Sequence, residues 1–224
     1  MTFLRHHWQL LALTALVFAL WSTPLMVPLK ILVVFFHELS HGLAAVLTGG
    51  RIVELSVDAR QGGYTITQGG SRFVTLSAGY LGSLMFGAGL FLAALRGRAD
   101  HMVLGALGAV MLGVAVLYVR DLMGLGITLA TGAALLALAR FAGDRVCDLV
   151  LRLIGLTSLV YVPWDIFDDT LRRSALQSDA RMLAEEIGGA TVLWGGLWLG
   201  LALAVIVLCL RHALGRESNL PLRR

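Results

Sequence analysis

Inside a long apolar run stand Phe36-His37-Glu38-Leu39-Ser40-His41-Gly42. His37 and His41 are four residues apart, so on a helix both imidazoles project from one face about one turn apart. That spacing lets two neutral ring nitrogens hold one Zn²⁺ ion, and Glu38 falls beside them, where its carboxylate can take a proton from a zinc-bound water. The surroundings sharpen the reading. Each ionisable group in hydrocarbon costs roughly 2–3 kcal/mol or more, and three of them crowd into little more than one helical turn. Packing alone does not offset that cost. The competing reading makes the two histidines hydrogen-bond glue between helices, with Glu38 facing an internal water.

Catalytic zinc normally takes three protein ligands and keeps one position open. No other histidine falls within an apolar run: His6 and His7 precede the first, His101 sits in a loop, and His212 follows the last. A carboxylate from another helix is therefore expected as the third ligand. Tyr161-Val162-Pro163-Trp164-Asp165-Ile166-Phe167-Asp168-Asp169 closes an apolar run, and Asp165 and Asp168 share a helix face. Asp165, the deeper of the two, is the first choice and Asp168 the second. The same acids could instead end the span at the interface and pair with Arg172 or Arg173. Glu54 and Asp58 read as surface residues of a hairpin, and Asp121 beside Arg120 as a turn ion pair.

The elements that must position these residues are membrane spans. Of the 224 residues 58% are hydrophobic and only 14% charged, against nearly a quarter charged in a soluble domain. A soluble enzyme, a disordered chain and a disulfide-stapled secreted domain are all excluded; the two cysteines, Cys147 and Cys209, read as small buried hydrophobes. Seventeen Arg and one Lys against fourteen acids give a net charge of +4. In a membrane protein that surplus belongs at lipid headgroups, so no nucleic-acid partner is expected.

Runs near the ~20 residues needed to cross a bilayer lie at about Trp8–Val27, Leu29–Leu47, Phe73–Leu95, Met102–Val119, Leu122–Ala139, Val146–Trp164 and Ala190–Leu210. The first lacks a small-residue cleavage site and is expected to be a retained helix. The fold class is thus an all-α polytopic membrane protein of about seven transmembrane helices, one integral domain over residues 1–224.

Two segments are not spans. Between Arg51 and Arg72, alternating residues on either side of Gly62-Gly63 predict a short β-hairpin between the second and third helices. The polar stretch Asp168–Gly189 predicts a surface helix from Ser178, with Met182, Leu183 and Ile187 on its apolar side. In the third span Gly79, Ser83 and Gly87 recur every four residues and predict close helix contact, with the motif helix as neighbour.

His-Glu-Leu-Ser-His on a transmembrane helix, a small-residue span opening Ser77-Ala78-Gly79-Tyr80, and a distal aspartate closing a later span together resemble the site-2 protease family of intramembrane zinc metalloproteases, in its M50B-like peptidase branch. The resemblance runs from about Val33 to Asp169. It implies zinc held by His37, His41 and a distant aspartate, which falls on Asp165, with Glu38 activating water. It also implies that the hairpin is a membrane-associated β-element beside the active site, to which an unwound substrate adds as a strand. The family's distal Asp-Gly with an upstream Asn is absent, since Ile166 follows Asp165, and no PDZ-like module is expected.

The function expected is an intramembrane zinc metalloendopeptidase acting on transmembrane or membrane-proximal protein substrates, with the lipid bilayer as its other partner. Two alternatives use the same ligands: a membrane metal-binding or transport protein without hydrolysis, and an inactive relative that binds transmembrane partners. The preference for Arg over Lys suggests a GC-rich bacterial genome, hence a bacterial plasma membrane.

Overall fold

The computed structural model describes residues 2–97, 99–173, 177–215 and 218–219. Among them the chain forms α1 (Thr2–Leu20), α2 (Val27–Leu47), β1 (Arg51–Val57), β2 (Gly63–Gln68), α3 (Arg72–Ala94), α4 (Asp100–Tyr118), α5 (Leu122–Phe141), α6 (Asp144–Phe167), α7 (Asp179–Ile187) and α8 (Thr191–Leu214). All the helices but α7 are long and apolar enough to span a bilayer, which makes seven spans and an integral membrane protein. Helices are the natural outcome, because in lipid each must satisfy its own backbone groups.

The first two spans divide differently from the expectation. α1 begins at Thr2 and stops at Leu20, and Pro24–Met26 is a 3₁₀ turn leading straight into α2. Thr23 is extended ahead of Pro24, and both Pro24 and Pro28 stand in the first turn of the element they open. There a missing N–H leaves no helical bond unmade.

α2 and α6 are the most enclosed of the spans, whereas α1, α5 and α8 are the least. α3 packs against both α2 and α6. The small-residue face of α3 serves two neighbours: Gly79 and Gly82 lie against α2 at His37, His41 and Ser40, while Gly87 lies against Ser158 and Gly155 of α6. Phe35, Phe36, Leu84, Phe91, Leu151 and Ile154 are fully buried in this three-helix core, and the Phe36 and Phe86 rings stack at 5.3 Å.

The hairpin is present, antiparallel, with Ser56 opposite Tyr64 and a bulge between Ile52 and Glu54. Its turn runs over Asp58–Gly62 rather than through a Gly-Gly pair, because Gly63 already pairs with Val57. Gln61 takes the left-handed conformation (φ 65°), and the Asp58 carboxylate accepts from the Arg60 and Gly62 N–H groups. On β1, Leu55, Ser56 and Val57 are buried. Ser56 donates to Asp121, which caps α5 by accepting from the Gly124 N–H at 2.7 Å. These two bonds hold the Asp121 carboxyl below its usual range. Asp121 is therefore a cap and an anchor for the hairpin, while its neighbour Arg120 donates to the carbonyls of Val116, Leu117 and Val119.

Candidate metal and active site

α2 presents His37 and His41 on one face, their rings 4.7 Å apart and nearly perpendicular. Both are gripped by α3. His41 Nδ1 lies 2.7 Å from the Thr75 carbonyl oxygen. A carbonyl can only accept, so Nδ1 carries the proton and the neutral ring leaves its Nε2 lone pair free, the arrangement that suits metal-ligating histidines. His37 meets the Tyr80 ring edge-on at 4.7 Å, and Tyr80 in turn donates its hydroxyl to Asp169 at 2.6 Å.

α3 comes close enough to do this because residue 79 has no side chain. A Cβ there would stand 2.5 Å from His37 Nε2 and 2.6 Å from His41 Cε1. Gly79→Ala is accordingly expected to leave the protein inserted and folded, because overpacking by one methyl costs ~1–3 kcal/mol. It should weaken metal binding at least ~10-fold by pushing both rings off position, by analogy with lost outer-shell support. Titrating metal into the purified variant against wild type checks this.

The carboxylate that reaches the two histidines is Asp179. It is the first residue of α7, whose N-cap Ser178 accepts from the Arg181 N–H at 3.3 Å. Asp179 Oδ2 lies 2.9 Å from His37 Nε2 and 3.2 Å from His41 Nε2. No hydrogen bond of good geometry reaches this buried oxygen, although both rings are that near. His37, His41 and Asp179 are the one group among the described residues with three ligand atoms mutually close enough to hold a metal ion.

α7 is fixed over the site by buried Ala180 and Leu183, and by an ion pair of 2.8 Å between Arg72 of α3 and Glu186. A surface helix from Ser178 was expected. That its first residue would face the motif was not, and residues 174–176 of the polar stretch lie outside the described residues.

The acids at the end of α6 do not join the trio. After Phe167 the helix widens into a π turn over Asp168–Arg172, closed by the Arg173 N–H on the Asp168 carbonyl. Asp168 is ion-paired with Arg172 and Arg173 at 3.2 and 2.6 Å, and Arg173 also holds Asp169 at 2.7 Å. Asp165 lines the same cavity as the trio without entering the group of ligand atoms. Of the acids near the motif it is Asp179, and neither Asp165 nor Asp168, the two expected from the sequence, that stands in the group of mutually close ligand atoms. The competing reading of the cluster, arginine pairing at the span's end, is the arrangement found for Asp168.

Glu38 is buried beside the histidines and accepts a hydrogen bond from Thr65 of β2 at 2.9 Å. All of these groups open on one cavity of about 470 Å³, walled by α2, α3, the end of α6, β2 and the start of α7. His41 stands six residues before the end of α2, or about 9 Å along the helix. The cavity therefore sits toward one face of the bundle, under the hairpin and α7, within reach of water.

A family model described as Peptidase M50B-like matches residues 10–209, a stretch that takes in the motif helix, the hairpin, α3, α6 and Asp179. No curated protein and no solved structure matches the chain. With the match spanning most of its length and the motif residues gathered in one cavity, the chain belongs to the Peptidase M50B-like family, in the M50 branch of site-2-type proteases.

Proposed function

We propose that the protein is an intramembrane zinc metalloendopeptidase whose metal is held by His37, His41 and Asp179 and whose general base is Glu38. The observation that carries this reading is the convergence of two imidazole nitrogens and one unbonded, buried carboxylate oxygen beside a glutamate, all on a polar cavity. The donor set suits zinc. Ligands at ~2.0–2.1 Å around a tetrahedral centre stand about 3.3 Å from one another, and the Asp179 to His41 separation is 3.2 Å. Two histidines and one carboxylate also match the ligand pattern of zinc peptidases.

When bound, zinc would polarise the scissile carbonyl and make water acidic enough to deprotonate near neutrality. The protein's own groups do the rest. Glu38 accepts the proton of the attacking water and returns it to the leaving amine. The Thr75 carbonyl and the Tyr80 ring keep the histidines oriented. The free edge of β2 offers main-chain hydrogen bonds to a substrate segment that has unwound, which a helix must do before its peptide bonds can be reached. Substrates on this reading are transmembrane or membrane-proximal proteins, and the setting is a bacterial plasma membrane.

Metal removal tests the proposal. The purified protein is expected to carry about one zinc per chain, to lose cleavage of a model transmembrane peptide on chelation, and to regain it when zinc is returned. Absence of stoichiometric zinc, or cleavage indifferent to the chelator, would sink it.

A further inference from the structure

Glu38 is held by the hairpin as well as by its own helix, and we propose that Thr65 is a positioning residue for it, with Gly63 supplying the clearance. This rests on Glu38 being the general base. The Thr65 hydroxyl lies 2.9 Å from Glu38 Oε2 and 2.9 Å from the Glu38 carbonyl oxygen. Both are acceptors when the carboxylate is ionised, so the single hydroxyl proton is shared between the side chain and the backbone of one residue. That ties the carboxylate back against its own helical turn and removes most of the freedom of a three-torsion side chain.

The two oxygens are then divided in role. Oε2 is tethered, while Oε1 has no protein partner among the described residues and is left to exchange a proton. Gly63, two residues before Thr65, makes room for this: a Cβ there would stand 2.7 Å from Glu38 Cγ and 2.9 Å from Oε1.

The strand can act as a fixed support because the other half of the hairpin is anchored. Leu55 and Val57 are buried, and Ser56 is bonded to Asp121 at the start of α5. The line of support therefore runs from the α4–α5 turn through β1 and β2 to the carboxylate.

Thr65→Val removes the hydroxyl at nearly constant shape, and Thr65→Ser keeps it. In the full-length protein acting on a model transmembrane peptide, Thr65→Val is expected to lower kcat about 10–100-fold, the usual cost of lost outer-shell support, with KM and zinc content within about twofold of wild type. Thr65→Ser should recover most of that loss. Gly63→Ala should lower kcat in the same sense by crowding the carboxylate from its other side.

Wild-type kcat in Thr65→Val, or a serine variant as poor as the valine one, would overturn the role of Thr65. So would a parallel loss of zinc, which would mark a merely structural residue. Glu38→Gln is the reference. If it is inactive while Thr65→Val is fully active, the inference about Thr65 fails alone; if it cleaves normally, the assignment of the base fails and the inference with it.

Discussion

Glu38→Gln is expected to retain its metal and to lose cleavage by about a thousandfold or more, toward the upper part of the ~10²–10⁴-fold range for a positioned acid–base group. The amide matches the carboxylate in shape and can still accept from Thr65 through its oxygen, so the side chain should stay in place. It cannot take a proton from water at neutral pH. The change also relieves the burden of a buried charge, so lost stability is not available as an explanation for lost activity. His37, His41 and Asp179 are untouched, and zinc content should match wild type. The rival readings part company here. A transport protein using the same ligands would show nearly unchanged ion flux, and an inactive relative would show no cleavage in the wild type to lose. Full activity in the glutamine variant would remove Glu38 from the mechanism.

Asp179→Asn should empty the metal site, with affinity falling by more than the ~10–100-fold typical of losing an outer-shell partner, whereas Asp165→Asn and Asp168→Asn should keep zinc. Asp179 Oδ2 is within 3.2 Å of both ring nitrogens, while Asp168 is occupied by two arginines. The fold should survive the substitution. Ser178, not Asp179, caps α7, so removing the charge from its first turn costs only ~0.3–1 kcal/mol of dipole interaction. Metal analysis of the three purified variants decides the matter, and zinc lost from Asp165→Asn but kept by Asp179→Asn would reverse the assignment.

What could be read from the chain alone followed from how local each signal is. His37, Glu38 and His41 lie within little more than one helical turn, so their convergence is a property of helix geometry and needs no knowledge of the fold. The seven spans follow from hydropathy and the hairpin from alternation, both of which act over short windows. Which carboxylate comes nearest the two rings depends on tertiary packing. Asp179 sits in a polar stretch behind a serine cap, where an acid has a sufficient local reason to exist in the helix dipole. Nothing nearby marks it as facing the motif, apart from Ala180 and Leu183, whose burial aims the helix inward. Asp165 and Asp168 looked better placed because they end an apolar run. The π turn that commits Asp168 to arginine has no signature in hydropathy. Asp121 was misread for a similar reason: its neighbour in sequence is Arg120, but its partner in space is Ser56 on the hairpin.

The Gly188-Gly189 joint, with both residues at positive φ, follows directly after α7, the short helix that brings Asp179 down onto the two rings. An ion seated between α2 and that helix closes a ring of protein around itself, so part of its binding energy becomes energy of assembly. On the proposed reading the metal would then act as a clasp as well as a reagent, adding to the buried contacts of Ala180 and Leu183 that already hold the helix in place.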